Sequence, residues 1–204
     1  MRIEVFLEEL SAEAALRNLL PGLLGPEWNY RFHVFDGKSY LLEELPSRLL
    51  GLARTLPDTS RILVLLDEDR EDCLAIKTRL EEAADGAGLS TKSGVGCGSF
   101  SVVNRVAVEE LEAWFFGDIP ALVEAYPGVD PDLGSRRRYA DPDAIVGGTS
   151  EALERVLQGA GYYTAGMPKI EVARNVSQHM DPRRNTSHSF QVFVAGVRAL
   201  AESV

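Results

Sequence analysis

An uninterrupted apolar run, Ile62-Leu63-Val64-Leu65-Leu66, leads straight into Asp67, Glu68, Asp69, Glu71 and Asp72. A strand without polar alternation is buried on both faces, the habit of a central strand in a parallel sheet. Carboxylates packed this closely repel one another. Bulk water, basic neighbours or a divalent cation must screen them, and which of the three does so bears directly on function.

The segments around this strand specify its company. "RIEVFLE" carries Ile3, Val5 and Leu7 in alternation and reads as a first strand, and "NYRFHVFDG" reads as a second, closed by the Asp36-Gly37 turn signal. Between them "SAEAALRNLLPGLL" has helical spacing, with Ser11 as N-cap and Pro21-Gly22 as the stop. "SYLLEELPSRLLGLARTL" is a second helix in which Pro46 predicts a kink or a break, and "REDCLAIKTRLEEAADGAG" is a third. After the glycine-rich "LSTKSGVGCGS", the stretch "FSVVNRVAV" returns to strand. This β-α-β-α-β-α-β order predicts an α/β fold: a mostly parallel central sheet with helices on both faces. Residues 1–126 form that domain. Residues 127–204 form an irregular connection, rich in Pro, Gly and Asp, and a helical C-terminal extension packing on it, from "SEALERVLQGAG", "PKIEVARNVSQHM" and "SFQVFVAGVRALAES".

A chain of 204 residues with formal net charge −10 is no bulk attractor of nucleic acid, so any polyanion would need a local basic patch or bound cations. Cys73 and Cys97 are too few for a disulfide framework or a zinc site and read as small, buried or half-buried residues. No apolar run nears the roughly 18 residues of a membrane span, and the N-terminus opens on strand-like sequence rather than a signal peptide. The expectation is a cytoplasmic protein.

Ligands of open parallel sheets bind beyond the carboxyl ends of the strands. Glu8 and Glu9 follow the first strand, and Asp67 and Asp69 end the third. If that strand persists, its period of two points Asp67 and Asp69 the same way. Glu8, Asp67 and Asp69 then form a hard-oxygen set of the kind Mg²⁺ or Mn²⁺ takes. Glu71 and Asp72 fit the first turn of the following helix. In "VEELEAWFFGD", Glu109 and Glu112 share a helical face at i, i+3, while Leu111, Trp114 and Phe115 belong to the core. That helix also opens at a strand's carboxyl end, so Glu109 and Glu112 are candidates to extend the metal set.

Candidate phosphate contacts are Arg105, Lys169, Arg183 and Arg184, with Arg136, Arg137 and Arg138 of "SRRRY" as a further basic run; arginine binds phosphate through a bidentate fork. Ser187 or Ser189 reads as the cap of the last helix. No P-loop, dinucleotide-binding glycine fingerprint, His-Glu-x-x-His or nucleophile elbow is present, and "GVGCGS" matches none of these spacings.

The order strand-Glu8, helix, strand, helix, strand-Asp67-x-Asp69 resembles the Toprim fold of topoisomerases, primases and overcoming-lysogenization-defect (OLD) nucleases. More narrowly, "VFLEELSAEAAL", "LLDEDREDC", "RVAVEELEAWFFGD" and "NTSHSF" resemble a Toprim-like bacterial domain-of-unknown-function family that includes the AriB phage-defence effectors, encoded beside ABC-type ATPases. The resemblance implies that Glu8, Asp67 and Asp69 hold Mg²⁺ for phosphodiester hydrolysis. It also implies DNA or RNA as substrate and an ABC-type ATPase as partner, with homo-oligomers left open. The alternative is a non-catalytic module that docks on the ATPase. One departure is Glu9, which stands where many Toprim domains have glycine.

Overall fold

The structure, a computed structural model, describes residues 1–57, 59–69, 71–94 and 99–203. Four strands, β1 (Arg2–Leu7), β2 (Asn29–Val34), β3 (Ser60–Asp67) and β4 (Val102–Ala107), form one sheet in the order β2-β1-β3-β4. Every pairing is parallel. β3 is buried along its whole length, as its unbroken apolar run requires. The architecture is consistent with a Toprim-like sheet.

Alternation divides the side chains between two cores. Phe6, Ile62, Val64 and Leu66 face helices α2 (Lys38–Ala53) and α3 (Cys73–Gly86), meeting Leu41, Leu45, Leu49, Ile76 and Leu80. Ile3, Val5, Leu7, Leu63 and Leu65 face the other way, toward α1 (Leu10–Leu24) and the C-terminal helix α8 (His188–Glu202). The helices after β1 and β3 therefore leave on opposite faces of adjacent strands. Such a point, where strand order reverses, opens a crevice at the carboxyl edge.

Between β4 and α8 the chain adds α4 (Glu112–Phe116), α5 (Ile119–Ala125), α6 (Thr149–Gly159) and α7 (Lys169–Ser177). Their buried residues join those of α1 and β1 in one cluster, so residues 127–203 share the core of the preceding segment. Trp114 is the largest fully buried side chain and packs on Phe190 and Phe193 at ring distances of 5.1 and 4.8 Å.

The elements depart from the sequence pattern in three places. α1 continues through Pro21 to Leu24, with Glu9 rather than Ser11 at its N-cap. Residues Leu19, Leu20 and Leu24 are buried there, and apolar burial outweighs the hydrogen bond proline removes. α2 likewise contains Pro46 within a continuous helix. Glu109 is outside any helix, and α4 starts only at Glu112. Cys97 lies outside the described residues.

The "NTSHSF" segment is a polar lock on this half of the molecule. Ser187 caps α8 by accepting the Phe190 N–H (3.1 Å). Asp143 accepts from the Ser187 and Ser189 hydroxyls at 2.7 and 3.0 Å, and the Ser189 hydroxyl accepts the Trp114 indole N–H at 3.0 Å. Asn185 donates to the Trp114 carbonyl (2.8 Å) and accepts the Ser187 N–H (2.9 Å).

Gly117 closes α4 against this lock. A Cβ there would sit 2.2 Å from Asn185 Oδ1 and 2.9 Å from the Ser187 backbone nitrogen. Backbone cannot yield cheaply, so Gly117→Ala should cost about 2–3 kcal/mol of stability, a fall of about 5–10 °C in Tm for a domain of this size. Calorimetric melts of the two chains check this; an unchanged Tm would mean the lock is looser than its geometry.

Candidate functional site

The carboxyl edge of β1 and β3 gathers the acids. The β1–β2 ladder runs on past Leu7, with the Phe35 and Gly37 N–H groups donating to the carbonyls of Leu7 (2.9 Å) and Glu8 (3.0 Å). This holds Glu8 at the rim beside Asp67, whose backbone hydrogen-bonds the Glu8 carboxylate. Glu8 and Asp67 are 9% and 8% exposed, and Glu112, arriving on the first turn of α4, is 2% exposed.

Beyond Asp67 the chain leaves the extended geometry. Asp69 has φ 54° and Glu109, across the gap on the β4 side, has φ 61°. Both are in the left-handed region that side chains other than glycine visit at a cost. Reciprocal bonds hold them: the Asp69 N–H donates to the Glu109 carbonyl (2.7 Å), and the Glu109 N–H donates to Glu68 Oε2 (3.0 Å). This latch is why Glu109 stays off α4 and does not share a helical face with Glu112. It also separates the Asp-x-Asp pair. Asp67 is influenced by Glu8, Glu112 and Glu9, whereas Asp69 ion-pairs with Lys38. Strand alternation, which would aim the two aspartates alike, stops at Asp67.

Two lysines face these acids. Lys38, at the start of α2, lies 2.6 Å from Asp69 Oδ2 and 3.3 Å from Glu71 Oε1, and donates to the Glu68 carbonyl at 3.0 Å. Lys169, at the start of α7, lies 3.6 Å from Glu112 Oε1 and 4.0 Å from Glu110 Oε1. Glu110 in turn accepts from the Thr149 hydroxyl (2.9 Å) and the Ser150 N–H (2.8 Å), tying the start of α6 to the edge. Lys38 and Glu110 fall outside the residues that sequence pattern picks out. The one signal for Lys38 is its place just after the Asp36-Gly37 turn, at a parallel strand's carboxyl end.

Compensation is incomplete. Burial and then the charge of Asp69 push the Glu8 carboxyl up to about 7, against the opposing pull of Lys38. Burial and then Glu8 and Glu112 hold Asp67 well above its ordinary range, and burial pushes Glu112 up to about 7 in spite of Lys169. Among the described residues, Glu8 Oε2 and Glu112 Oε2 are buried without any hydrogen-bond partner. A cavity of about 600 Å³ opens on this edge, bounded by Glu8, Glu9, Leu10, Val34, Phe35 and Gly37.

The remaining candidates sit elsewhere. Arg105 is buried against α8, donating to the Val192 (3.0 Å) and Asn104 (2.7 Å) carbonyls. Strand alternation turns it to that face. Arg183 pairs with Asp181 (2.8 Å), and Arg184 pairs with Asp118 (2.6 Å), the cap of α5. Only Lys169, of the cationic candidates, reaches the acids. Asp72 caps α3 by accepting the Leu74 N–H (2.9 Å). The Cys73 thiol is half-buried, and burial and Glu68 push its pKa up, which keeps it protonated and a poor nucleophile.

Mg²⁺ or Mn²⁺ fits the donor chemistry here. The available ligands are carboxylate oxygens, two of them buried and unpartnered. Among the described residues no three His, Cys, Asp or Glu side chains form a ready-made metal cluster. Mg²⁺ does not need one, since it keeps several waters and takes one or two carboxylates.

Fold and site together define an α/β protein with a buried acidic edge at the switch point of a parallel sheet. The chain belongs to the family described as a domain of unknown function (DUF4276), whose model matches residues 7–198. No curated protein and no solved structure matches it. No helix among the described residues is long and apolar enough to cross a membrane.

The raised carboxyls make stability depend on pH. Between the ordinary 4.5 and about 7 the native Glu112 binds more proton than the unfolded chain, so stability is greatest at the acid end and falls as pH rises through this window. Glu112→Gln removes the term. In EDTA the variant should melt higher than the parent at pH 8, by a stability difference on the order of 1 kcal/mol or more, and close to the parent at pH 5. Equal Tm differences at both pH values would show that Glu112 is not held protonated by burial.

Proposed function

We propose that the acidic edge is a divalent-cation site at which the protein processes phosphodiesters, as a nuclease acting on DNA or RNA. The observation that carries this reading is the pair of buried, unpartnered carboxylate oxygens, Glu8 Oε2 and Glu112 Oε2, on the two acids whose charge acts most strongly on Asp67. Burying such charge unpaired is costly, and a cation is the ligand that relieves it. Glu8 and Asp67 would hold the ion, with Asp69 or Glu112 completing the set.

When bound, Mg²⁺ or Mn²⁺ supplies Lewis-acid stabilisation of the charge that gathers on a phosphodiester under attack. The chain's own groups do the rest. Lys169, 41% exposed, is placed to contact a phosphate oxygen while staying within 3.6 Å of Glu112. Lys38 fixes Asp69 and, through its charge, steadies Glu8. Where Asp69 completes the set, Glu112 is left off the ion, in reach of Lys169, to orient an attacking water and take its proton. Leu10, Val34 and Phe35 give the cavity an apolar wall that limits bulk water beside the acids. The site is cytoplasmic on this reading, where nucleic acid is at hand.

A second reading has its own observation. Lys38 and Lys169 already offset part of the acidic charge, as a docking surface for a partner such as an ABC-type ATPase would require without any metal. Metal titration separates the two. At a free concentration 100-fold above Kd, a native-state ligand adds about 2.7 kcal/mol, so millimolar Mn²⁺ should raise the Tm of the parent by several degrees and leave Glu8→Gln/Asp67→Asn unmoved. The parent should also cleave DNA or RNA in Mn²⁺ or Mg²⁺, and Asp67→Ala or Glu8→Ala should lower the rate at least about 100-fold, the scale of losing an electrostatic catalytic group. Cleavage that survives both substitutions rules this site out, and the absence of any metal-induced shift favours the docking surface.

A further inference from the structure

The run Arg136-Arg137-Arg138 has no part at the acidic edge. Two of its members instead border a separate cavity of about 310 Å³, between the irregular connection and α6, whose lining includes Gly128, Asp130, Arg136, Arg138, Tyr139 and Arg155. α6 spans Thr149–Gly159, with its first turn tied to Glu110 and its last turn at the cavity. At 1.5 Å per residue Arg155 stands about 7.5 Å and Gly159 about 13.5 Å along the helix from Ser150, and none of the edge acids lines the cavity, so the two are distinct.

Charge in this cavity runs against that of the chain, whose formal net charge is −10. Three arginines, Arg136, Arg138 and Arg155, line it against one carboxylate, Asp130. Asp130 is already engaged: it pairs with Arg136 and accepts the Asp132 N–H (2.9 Å). Arg138 and Arg155 have no ion-pair partner among the described residues; Arg138 lies over the Tyr139 ring at 5.7 Å and is held by no carboxylate. Tyr139 is itself fixed by stacking on Phe116 at 5.2 Å, which braces the wall beneath that arginine. Gly128, at φ 111°, turns the chain where it lines the cavity, in a backbone region that favours glycine.

We propose that this cavity binds a phosphate-class oxyanion, free or carried by a nucleotide, with Arg138 and Arg155 as its ligands and Arg136 as an adjacent charge. A planar guanidinium offers paired N–H donors that match two phosphate oxygens, and two unpaired ones across a concave wall supply both geometry and charge. The proposal does not depend on metal at the acidic edge.

The test is isothermal titration calorimetry of the intact chain in EDTA, at constant ionic strength, with inorganic phosphate in one arm and adenosine 5′-monophosphate in the other, and adenosine as the phosphate-free control. Saturable binding of phosphate or AMP, absent for adenosine, is expected. Arg138→Ala/Arg155→Ala should weaken it at least tenfold, while Arg137→Ala, an exposed neighbour outside the cavity, should not. All three positions are exposed, so folding is checked simply by comparing melts. Tighter binding of AMP than of phosphate assigns the oxyanion to a nucleotide, and equal binding assigns it to the free ion. No saturable heat, unaltered binding in the double variant, or an equal loss in Arg137→Ala overturns the proposal.

Discussion

Parallel pairing of β1 with β3 forces Glu8 and Asp67 to share one rim, and the surrounding structure answers the repulsion this creates. Water is largely excluded, since neither residue is more than 9% exposed. Lys38 and Lys169 approach from opposite sides, one from the start of α2 and the other from the start of α7. They do not win outright. Desolvation heads the causes for Glu8, Asp67 and Glu112 alike, and the net direction is upward for all three. For Glu8 the move from 4.5 to about 7 corresponds to roughly 3 kcal/mol favouring the protonated form. A fold that keeps such a cluster gives up stability, and functional sites are where that arrangement is usual.

The late motifs serve this edge from a distance. Glu112 stands on a five-residue helix, too short to be stable alone. Its position depends on Trp114 being held by Ser189 and Asn185, on Ser187 and Ser189 being organised by Asp143, and on Asp118 joining α5 to Asp181 and Arg184. Glu110 fastens the same segment to α6. "NTSHSF" therefore belongs to the support of the acidic edge, without contributing a ligand to it.

What could be read from residues alone followed the range of the forces involved. β3 and its neighbours were legible because apolar periodicity is a local signal of a strong effect, and the rule that ligands collect at carboxyl edges then singled out Glu8 and Asp67. Asp69 and Glu109 were legible as acids but not in orientation. Their left-handed backbone arises from bonds between the β3 and β4 loops, which no local spacing encodes. Arg105 looks like a phosphate contact in sequence, but on β4 it turns toward α8, whose Gly196 leaves room for its guanidinium: a Cβ there would lie 2.3 Å from Nη2. Lys38 was invisible because a lysine after a turn is ordinary until α2 brings it to Asp69.

α6 gives the charge pattern its sense. Its N-terminus, the positive end of the helix dipole, is turned to Glu110 at the acidic edge, and Arg155 stands on its C-terminal half beside the arginine cavity. Each charge thus lies toward the end of the helix that favours it, and the favourable placement also keeps them apart. Arg155 stands five residues beyond Ser150 on α6, a rise of about 7.5 Å that is comparable to the roughly 8 Å screening length at physiological salt, and among the described residues neither it nor Arg138 forms an ion pair with the edge carboxylates. Two fields of opposite sign can therefore persist on one small acidic protein. Arginines nearer the rim would have compensated Glu8 and Glu112 as Lys38 and Lys169 do, removing the unpartnered buried carboxylate oxygens that distinguish this edge.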